Sequence, residues 1–435
     1  MRGEIRVRSI ILCVFVLMIL CSNTIIGSKT ETTILLTCII SLIFCKFAIK
    51  EFDLKGKRAF ILYCLFLIFL IVNAFLSYSA NTSLEYSLIF IASFFLFFVE
   101  WSKKNLKTFF IFGRIVCVIF ACTILLAVVA PNIIILISQY FNPGRSEVIA
   151  SEISVGQYSG LVGEKALAAY AMVFGANIEI AYYYIQNKKL DFKNYGFIFL
   201  YFVCTFLTGK RMLTVILLAQ IAVALLLFEI KNKGAKVFIG CFVAMIIVII
   251  VLLAIPQVNI VIARFIAGED DDTFNGRTLF WDCCIEMFNE KPIFGYGFGT
   301  FNDVFAEKVE YVFHDTLWNM HAHNMYLQML GECGIVGFLI FILILLVFLI
   351  LSIKLFKSSC LPDFWKGVLW FSIGSQILFI IYGITGNCLY DVQQIFAHLL
   401  SLSIYFTVNR INKRYSVSVD KQTELLHKKE LKAYV

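Results

Sequence analysis

The chain alternates long apolar runs with short polar segments, most of them cationic. Runs long enough to approach a bilayer crossing fall near 9–27, 33–50, 59–78, 84–100, 108–131, 165–186, 195–208, 212–230, 236–256, 324–353, 366–383 and 391–408. A crossing takes roughly 20 mostly apolar residues. Inside lipid only a helix or a closed barrel satisfies its own backbone hydrogen bonds. The runs lack the period-two alternation of barrel strands, so the pattern predicts an all-α polytopic membrane protein of about twelve transmembrane helices.

Charge orients these helices. One set of alternate segments carries Arg2, Arg6 and Arg8; Lys46, Lys50, Lys55, Lys57 and Arg58; Lys103, Lys104 and Lys107; Lys188, Lys189 and Lys193; Lys231, Lys233 and Lys236; Lys354, Lys357 and Lys366; and a basic tail from Arg410. The other set holds only Lys29, Arg145, Lys165, Lys210, Arg211, Arg264, Arg277, Lys291 and Lys308, an asymmetry of about three to one. The cation-rich set is expected in the cytoplasm, together with both termini. The chain then divides into helices one to nine (1–256), an extracytoplasmic loop with interfacial helices (257–322), helices ten to twelve (323–409) and a cytoplasmic basic tail (410–435). The basic, then apolar N-terminus resembles a signal peptide but lacks a small-x-small cleavage site, so it reads as an uncleaved first helix.

Composition agrees: 60% of residues are hydrophobic and 15% charged, against about 45–50% and 25% in soluble domains. The net charge of +8 sits in short loops between spans rather than in a stripe, which argues against a nucleic-acid partner. Most of the 14 cysteines lie in apolar runs, where they act as small hydrophobes, and no CxxC…CxxC zinc spacing occurs.

The polar residues that stand out lie on the outer side. Thr208-Gly209-Lys210-Arg211 puts two cations at an outer turn, against the charge rule. Such residues either snorkel to headgroups or face a cavity that binds an anion, and Arg211 opens a helix that is otherwise apolar. His314, His321 and His323 gather before span ten, where His323 precedes Asn324 at a helix start. The positive end of a helix disfavours imidazolium, so His323 could serve as a neutral base, or else cap the helix. His321-x-His323 with Asp303, Glu307 or Asp315, and the run Glu269–Asp272, invite a metal reading. Neither has a metal motif's spacing, and no metal or cofactor is expected. Arg277 opens an outer helix carrying Trp281 and the apolar stripe Phe280, Cys284, Met287 and Phe288. That helix ends at Lys291-Pro292, before the glycine-rich turn Phe294–Gly299. Glu179, Asn177 and Gln220, polar residues within spans, are expected to pair between helices.

From Arg277 to Phe338 the order Arg277, Trp281, Pro292, Gly295, Gly297, Phe301, His323, Asn324, Leu327, Gln328, Glu332, Gly334, Ile335 and Gly337 resembles the signature region of the bacterial O-antigen ligase and polymerase superfamily, the Wzy/WaaL-type membrane glycosyltransferases. The resemblance implies an enzyme of the bacterial inner membrane in O-antigen or capsule-type polysaccharide synthesis. It would move a glycan from undecaprenyl diphosphate to an acceptor sugar hydroxyl at the outer leaflet, inverting the anomeric carbon without a metal. His323 would be the base, and Arg211, Arg277 and Lys210 would bind the diphosphate. His321, Asn324, Trp281 and Arg145 would support them. Lys210 stands where the family has Ser or a similar residue before the arginine. The implied partners are the lipid-linked oligosaccharide, the acceptor glycan, and a flippase and chain-length regulator of the same pathway. Polymerase and ligase share these parts. Arg145 and Gly156 fit an R-x10-G spacing seen in some polymerases, and polymerase is the preferred reading. A precursor transporter is the rival from another class, but the two halves lack the pairing that transporters show.

The charge pattern generates one test. A cysteine at position 308 in a cysteine-depleted background should react with an impermeant reagent in intact cells or spheroplasts. Protection of that position would overturn the orientation.

Overall fold

The structure, a computed structural model, describes residues 54–99, 101–141, 143–185, 192–228, 272–308, 321–358 and 360–433. The expected spans 9–27, 33–50 and 236–256 lie outside the described residues, as do 257–271 and 309–320 of the long loop, including Arg264, His314 and Asp315. Every regular element among the described residues is a helix.

Nine expected spans fall on helices α1 Leu54–Phe75, α2 Ala80–Phe94, α3 Lys103–Val129, α6 Lys165–Ile185, α7 Phe192–Leu207, α8 Arg211–Phe228, α11 Met325–Phe356, α12 Asp363–Tyr382 and α13 Val392–Ala433. Five of the described helices are long and apolar enough to cross a membrane. Two outcomes differ in detail from the apolar pattern. The outer segment after α3 folds into α4 Pro131–Phe141, α5 Pro143–Ser154 and a 3-10 turn at Gly160–Val162. Each of the two short helices begins on a proline, whose missing N–H costs nothing at a helix start. The last span and the basic tail form one continuous helix of 42 residues, about 63 Å long.

The membrane core is built around α6 and α12, which pack on each other; α3, α7 and α8 lie against α6, and α13 lies against α12. Within it Glu179 pairs with Arg114 of α3, Nε to Oε1 at 2.5 Å, and the guanidinium lies over the Phe197 ring at 4.5 Å. Gln220 Nε2 donates to the Gly374 carbonyl at 3.0 Å. Pairing between helices thus holds for Glu179 and Gln220, with Arg114 a partner that the loop-based charge count passed over.

The outer helix α9 Asp272–Glu290 buries Cys283, Cys284 and Met287 together with Phe301, Val304, Phe305 and Ala322. Its apolar stripe faces α11 and the short helix α10 Phe301–Lys308. Lys308 Nζ ties α10 to α9 through Glu286 at 2.9 Å and Glu290 at 2.8 Å. The exposed neighbour Ala306 is therefore a better labelling position than Lys308 itself.

After Pro292 the glycine-rich turn wedges into a break in α11. Gly334 has φ 60 and ψ −169, off the helical path. There the Ile335 and Val336 amides donate to the Pro292 and Ile293 carbonyls at 2.8 and 3.3 Å. Tyr296 and Gly297 amides return to the Gly331 and Glu332 carbonyls at 3.2 and 2.7 Å. The fully buried Glu332 carboxylate accepts from the Gly299 amide at 2.8 Å, the Phe301 amide at 3.0 Å, Gln328 Nε2 at 3.0 Å and the Tyr390 hydroxyl. Asn73 of α1 grips the turn from the other side, donating to the Phe294 carbonyl at 2.7 Å and accepting from the Phe298 amide at 2.8 Å.

Gly334→Ala should be severely destabilising. A Cβ there would lie 2.4 Å from the Ile293 carbonyl oxygen, in a backbone conformation that by itself costs about 1–3 kcal/mol for a non-glycine residue. Gly196→Ala in α7 is the control, because nothing lies within 4 Å of its added methyl and alanine favours a helix. Thermal stability of the two purified variants checks this, and equal melting points would contradict the wedge.

Candidate active site

Four helices begin on one side of the molecule, and the polar residues at their starts interact. Lys165 opens α6 and Lys210 precedes α8, accepting from the Thr214 amide at 3.1 Å. His323 precedes the N-cap of α11, and Asp391 precedes α13. The N-terminal ends of helices carry partial positive charge and unpaired N–H groups, which suits an anion. Arg277 comes from the early turns of α9.

His323 is held in an uncommon backbone conformation. Its φ of 52 is the one positive value at a non-glycine position among the described residues, a feature that clusters at functional sites. Three contacts enforce it. The His323 amide donates to Asn387 Oδ1 at 3.0 Å. The Ala322 amide donates to Gln328 Oε1 at 3.0 Å, and the Ala322 carbonyl accepts from Trp281 Nε1 at 2.9 Å. Asn324 is extended and its Oδ1 accepts from the Tyr326 and Leu327 amides at 3.1 and 3.2 Å, the geometry of an N-cap. Asn324 thus starts the helix and Trp281 fixes the chain before His323.

The imidazole of His323 is pushed down to about 4, first by burial and then by the charges of Arg277, Lys210, His321 and Lys165. It is neutral at physiological pH. The charges that reach His323 come from Arg277 and Lys210 together with Lys165 and His321. Lys210 is the member of the cation pair whose charge is felt at His323; Arg211 follows it, half-buried, as the first residue of α8. His321 serves elsewhere. Its ring lies flat on Tyr390 with centroids 4.4 Å apart, and its Nδ1 faces Gln328 Nε2 at 3.4 Å. Burial lowers it too, to about 4.

A further wall comes from α5 and the segment that follows it. Arg145 approaches Glu164 at 4.0 Å. Lys165 donates through Nζ to Gln157 Oε1 at 2.5 Å and through its amide to Glu152 Oε1 at 3.0 Å. The Tyr158 amide donates to the Leu207 carbonyl at 3.1 Å, docking this segment on the turn that carries Lys210. That turn needs Gly209, with φ 73 and Gln157 packed against it. Burial raises the Glu164 carboxyl, offset by Arg145 and Lys210. Asp391 is raised well above its usual range by burial and by Glu164, while Arg145 and Lys210 oppose the rise. Asp391 also accepts from Gln394 Nε2 at 2.7 Å.

Sequence reasoning missed Glu164, Asn387 and Asp391. Each looks like an ordinary polar residue beside a span, and no local pattern marks it. Lys165 was visible as an outer cation that broke the charge rule. Glu332 stood in the motif, but its clamping role needed the fold.

Residues 196–342, about a third of the chain, match the family model Wzy_C, described as O-Antigen ligase. No curated protein matches the chain. The matched stretch holds Lys210, Arg211, Trp281, Arg277, His323 and Glu332, and over those residues the chain is similar to the O-antigen ligase/polymerase superfamily.

Proposed function

We propose that the protein is a cell-surface polysaccharide polymerase that transfers a glycan from undecaprenyl diphosphate to an acceptor sugar hydroxyl at the outer leaflet of the bacterial inner membrane. The observation that carries the reading is the meeting of Arg277, Lys210 and Lys165 with an uncharged His323 where several helices begin. A diphosphate needs cations and free N–H groups, and an acceptor hydroxyl needs a neutral base.

In the reaction the acceptor oxygen attacks the anomeric carbon from the face opposite the diphosphate. Its proton passes to His323, the bond from the anomeric carbon to the diphosphate oxygen breaks, and that electron pair leaves with the diphosphate. The anomeric centre inverts. Arg277 and Arg211 offer planar forks that match phosphate oxygens, and Lys210 adds a point charge. With the leaving group's charge met by side chains, the scheme calls for no metal ion.

A base near 4 is weak, and the burial and cations that keep it neutral make it so. The substrate reverses this. A bound diphosphate places negative charge among Arg277, Lys210 and Lys165, cancels their repulsion and raises the proton affinity of His323 as the donor arrives. The base strengthens only when there is a donor to use.

Ligase and polymerase chemistry are the same at this site and differ in the acceptor. The polymerase reading rests on the wider occurrence of that role and on the Arg145 to Gly156 spacing. Arg145 in this structure faces Glu164 at the site's edge, where an acceptor could reach.

On purified lipid-linked substrate, His323→Ala should lose about 10²–10⁴-fold in transfer rate, with normal membrane insertion. Arg277→Ala should abolish polymer and Arg277→Lys restore part of it, because lysine keeps charge without the fork. EDTA should leave turnover intact. Near-normal turnover by His323→Ala contradicts the base assignment, and strong EDTA inhibition reversed by one metal contradicts the metal-free scheme.

A further inference from the structure

The cluster holds more carboxylate than a diphosphate clamp requires. Glu152, Glu164 and Asp391 stand among Arg145, Lys165 and Lys210, each acting on its neighbours. Carboxylates beside a diphosphate repel it, so this half of the site is built for something else.

Three buried polar groups here lack hydrogen-bond partners among the described residues. Glu152 spends Oε1 on the Lys165 amide, while Oε2 has no partner. Gln394 donates to Asp391 through Nε2, while its Oε1 has no partner. The Tyr170 hydroxyl has none either, and Asp391 is among the charges that act on it. All three side chains are more than nine-tenths buried, with Glu152 at 8%, Tyr170 at 4% and Gln394 at 0% exposure. A buried polar atom without a partner costs about 1–3 kcal/mol, so three around one cluster suggest that a ligand completes them. Two are acceptor-only oxygens and one is a hydroxyl that both donates and accepts. A set dominated by acceptors fits a ligand rich in hydroxyl donors.

We infer that Glu152, Tyr170 and Gln394 form a sugar-binding subsite next to the diphosphate clamp, taking the hydroxyl groups of the glycan carried by the donor lipid. This inference rests on the transferase reading and deepens it. The subsite is walled by the outer segment that also carries Arg145, so sugar recognition and diphosphate binding come from different parts of the chain. Residues 196–342 supply Lys210, Arg211, Arg277 and His323, while Glu152, Lys165 and Tyr170 precede them and Gln394 follows. Members of one superfamily could thereby keep one chemistry and change the sugar.

The test compares two lipids on the full-length protein in nanodiscs. One is undecaprenyl diphosphate without sugar; the other is the lipid-linked oligosaccharide extracted from cells that lack this protein. Glu152→Gln keeps the oxygen that the Lys165 amide needs, and Tyr170→Phe removes a single atom. Each variant should bind the glycosylated lipid about tenfold more weakly, the loss expected for one hydrogen bond. Tyr170→Phe should bind undecaprenyl diphosphate as the wild type does, and Glu152→Gln, which removes a negative charge, at least as tightly; both results also report correct folding. Unchanged affinity for the glycosylated lipid, or equal weakening toward both lipids, would overturn the subsite alone. A wild type that binds neither lipid would overturn the transferase reading and the subsite with it.

Discussion

The arrangement depends on one buried carboxylate. Glu332 lies inside the apolar helix α11 and takes the backbone amides of Gly299 in the glycine-rich turn and of Phe301 at the start of α10, the Gln328 amide group and the Tyr390 hydroxyl. A carboxylate is acceptor-only, so four donors around it form a self-consistent set that an amide or alkyl side chain could not replace. From it the constraint spreads. Gln328 holds the Ala322 amide, Tyr390 carries the ring of His321, and the turn carries α10 back onto α9. Broken at Gly334 and clamped at Glu332, α11 starts where His323 can meet charges from α6, α8 and α9.

A second constraint is directional. Helices whose first residues lie close together bring their positive ends together without further design. Lys165, Lys210, His323 and Asp391 stand at four such starts. The site is therefore a property of the topology, sharpened by a few side chains. Burial and the site's field together account for the neutral His323, and the field for why an anionic donor would be both attracted and able to strengthen the base.

Much of this was legible in the sequence because lipid leaves so few solutions. Apolar runs located nine helices among the described residues, and the stripe from Phe280 to Phe288 located the buried face of α9. Lys210 stood out as a cation against the charge rule, His323 as one of a histidine cluster at a helix start, and Arg277 through the family resemblance. What stayed hidden was of two kinds. Pairings over long separations, such as Glu332 with Gly299 and Trp281 with the Ala322 carbonyl, have no local pattern. Groups whose meaning comes from neighbours, such as Glu164, Asp391 and Arg114, look like ordinary loop or span residues until the helices are assembled. The helix α4 escaped because its 11 residues are too few for a span, and α5 because its polar content masked the period that marks a helix in apolar sequence.

The central claim is that His323 is a neutral imidazole whose basicity the substrate restores. Histidine-labelled protein in nanodiscs, with the other histidines replaced, allows the ¹⁵N resonances of His323 to be followed against pH with and without undecaprenyl diphosphate. Without the lipid, the imidazole should stay neutral from pH 8 down to about pH 5, in keeping with a pKa near 4. Saturating undecaprenyl diphosphate should move its titration upward. Titration near the ordinary value of about 6.5 in the free protein, or a pKa that the diphosphate leaves in place, would contradict the account.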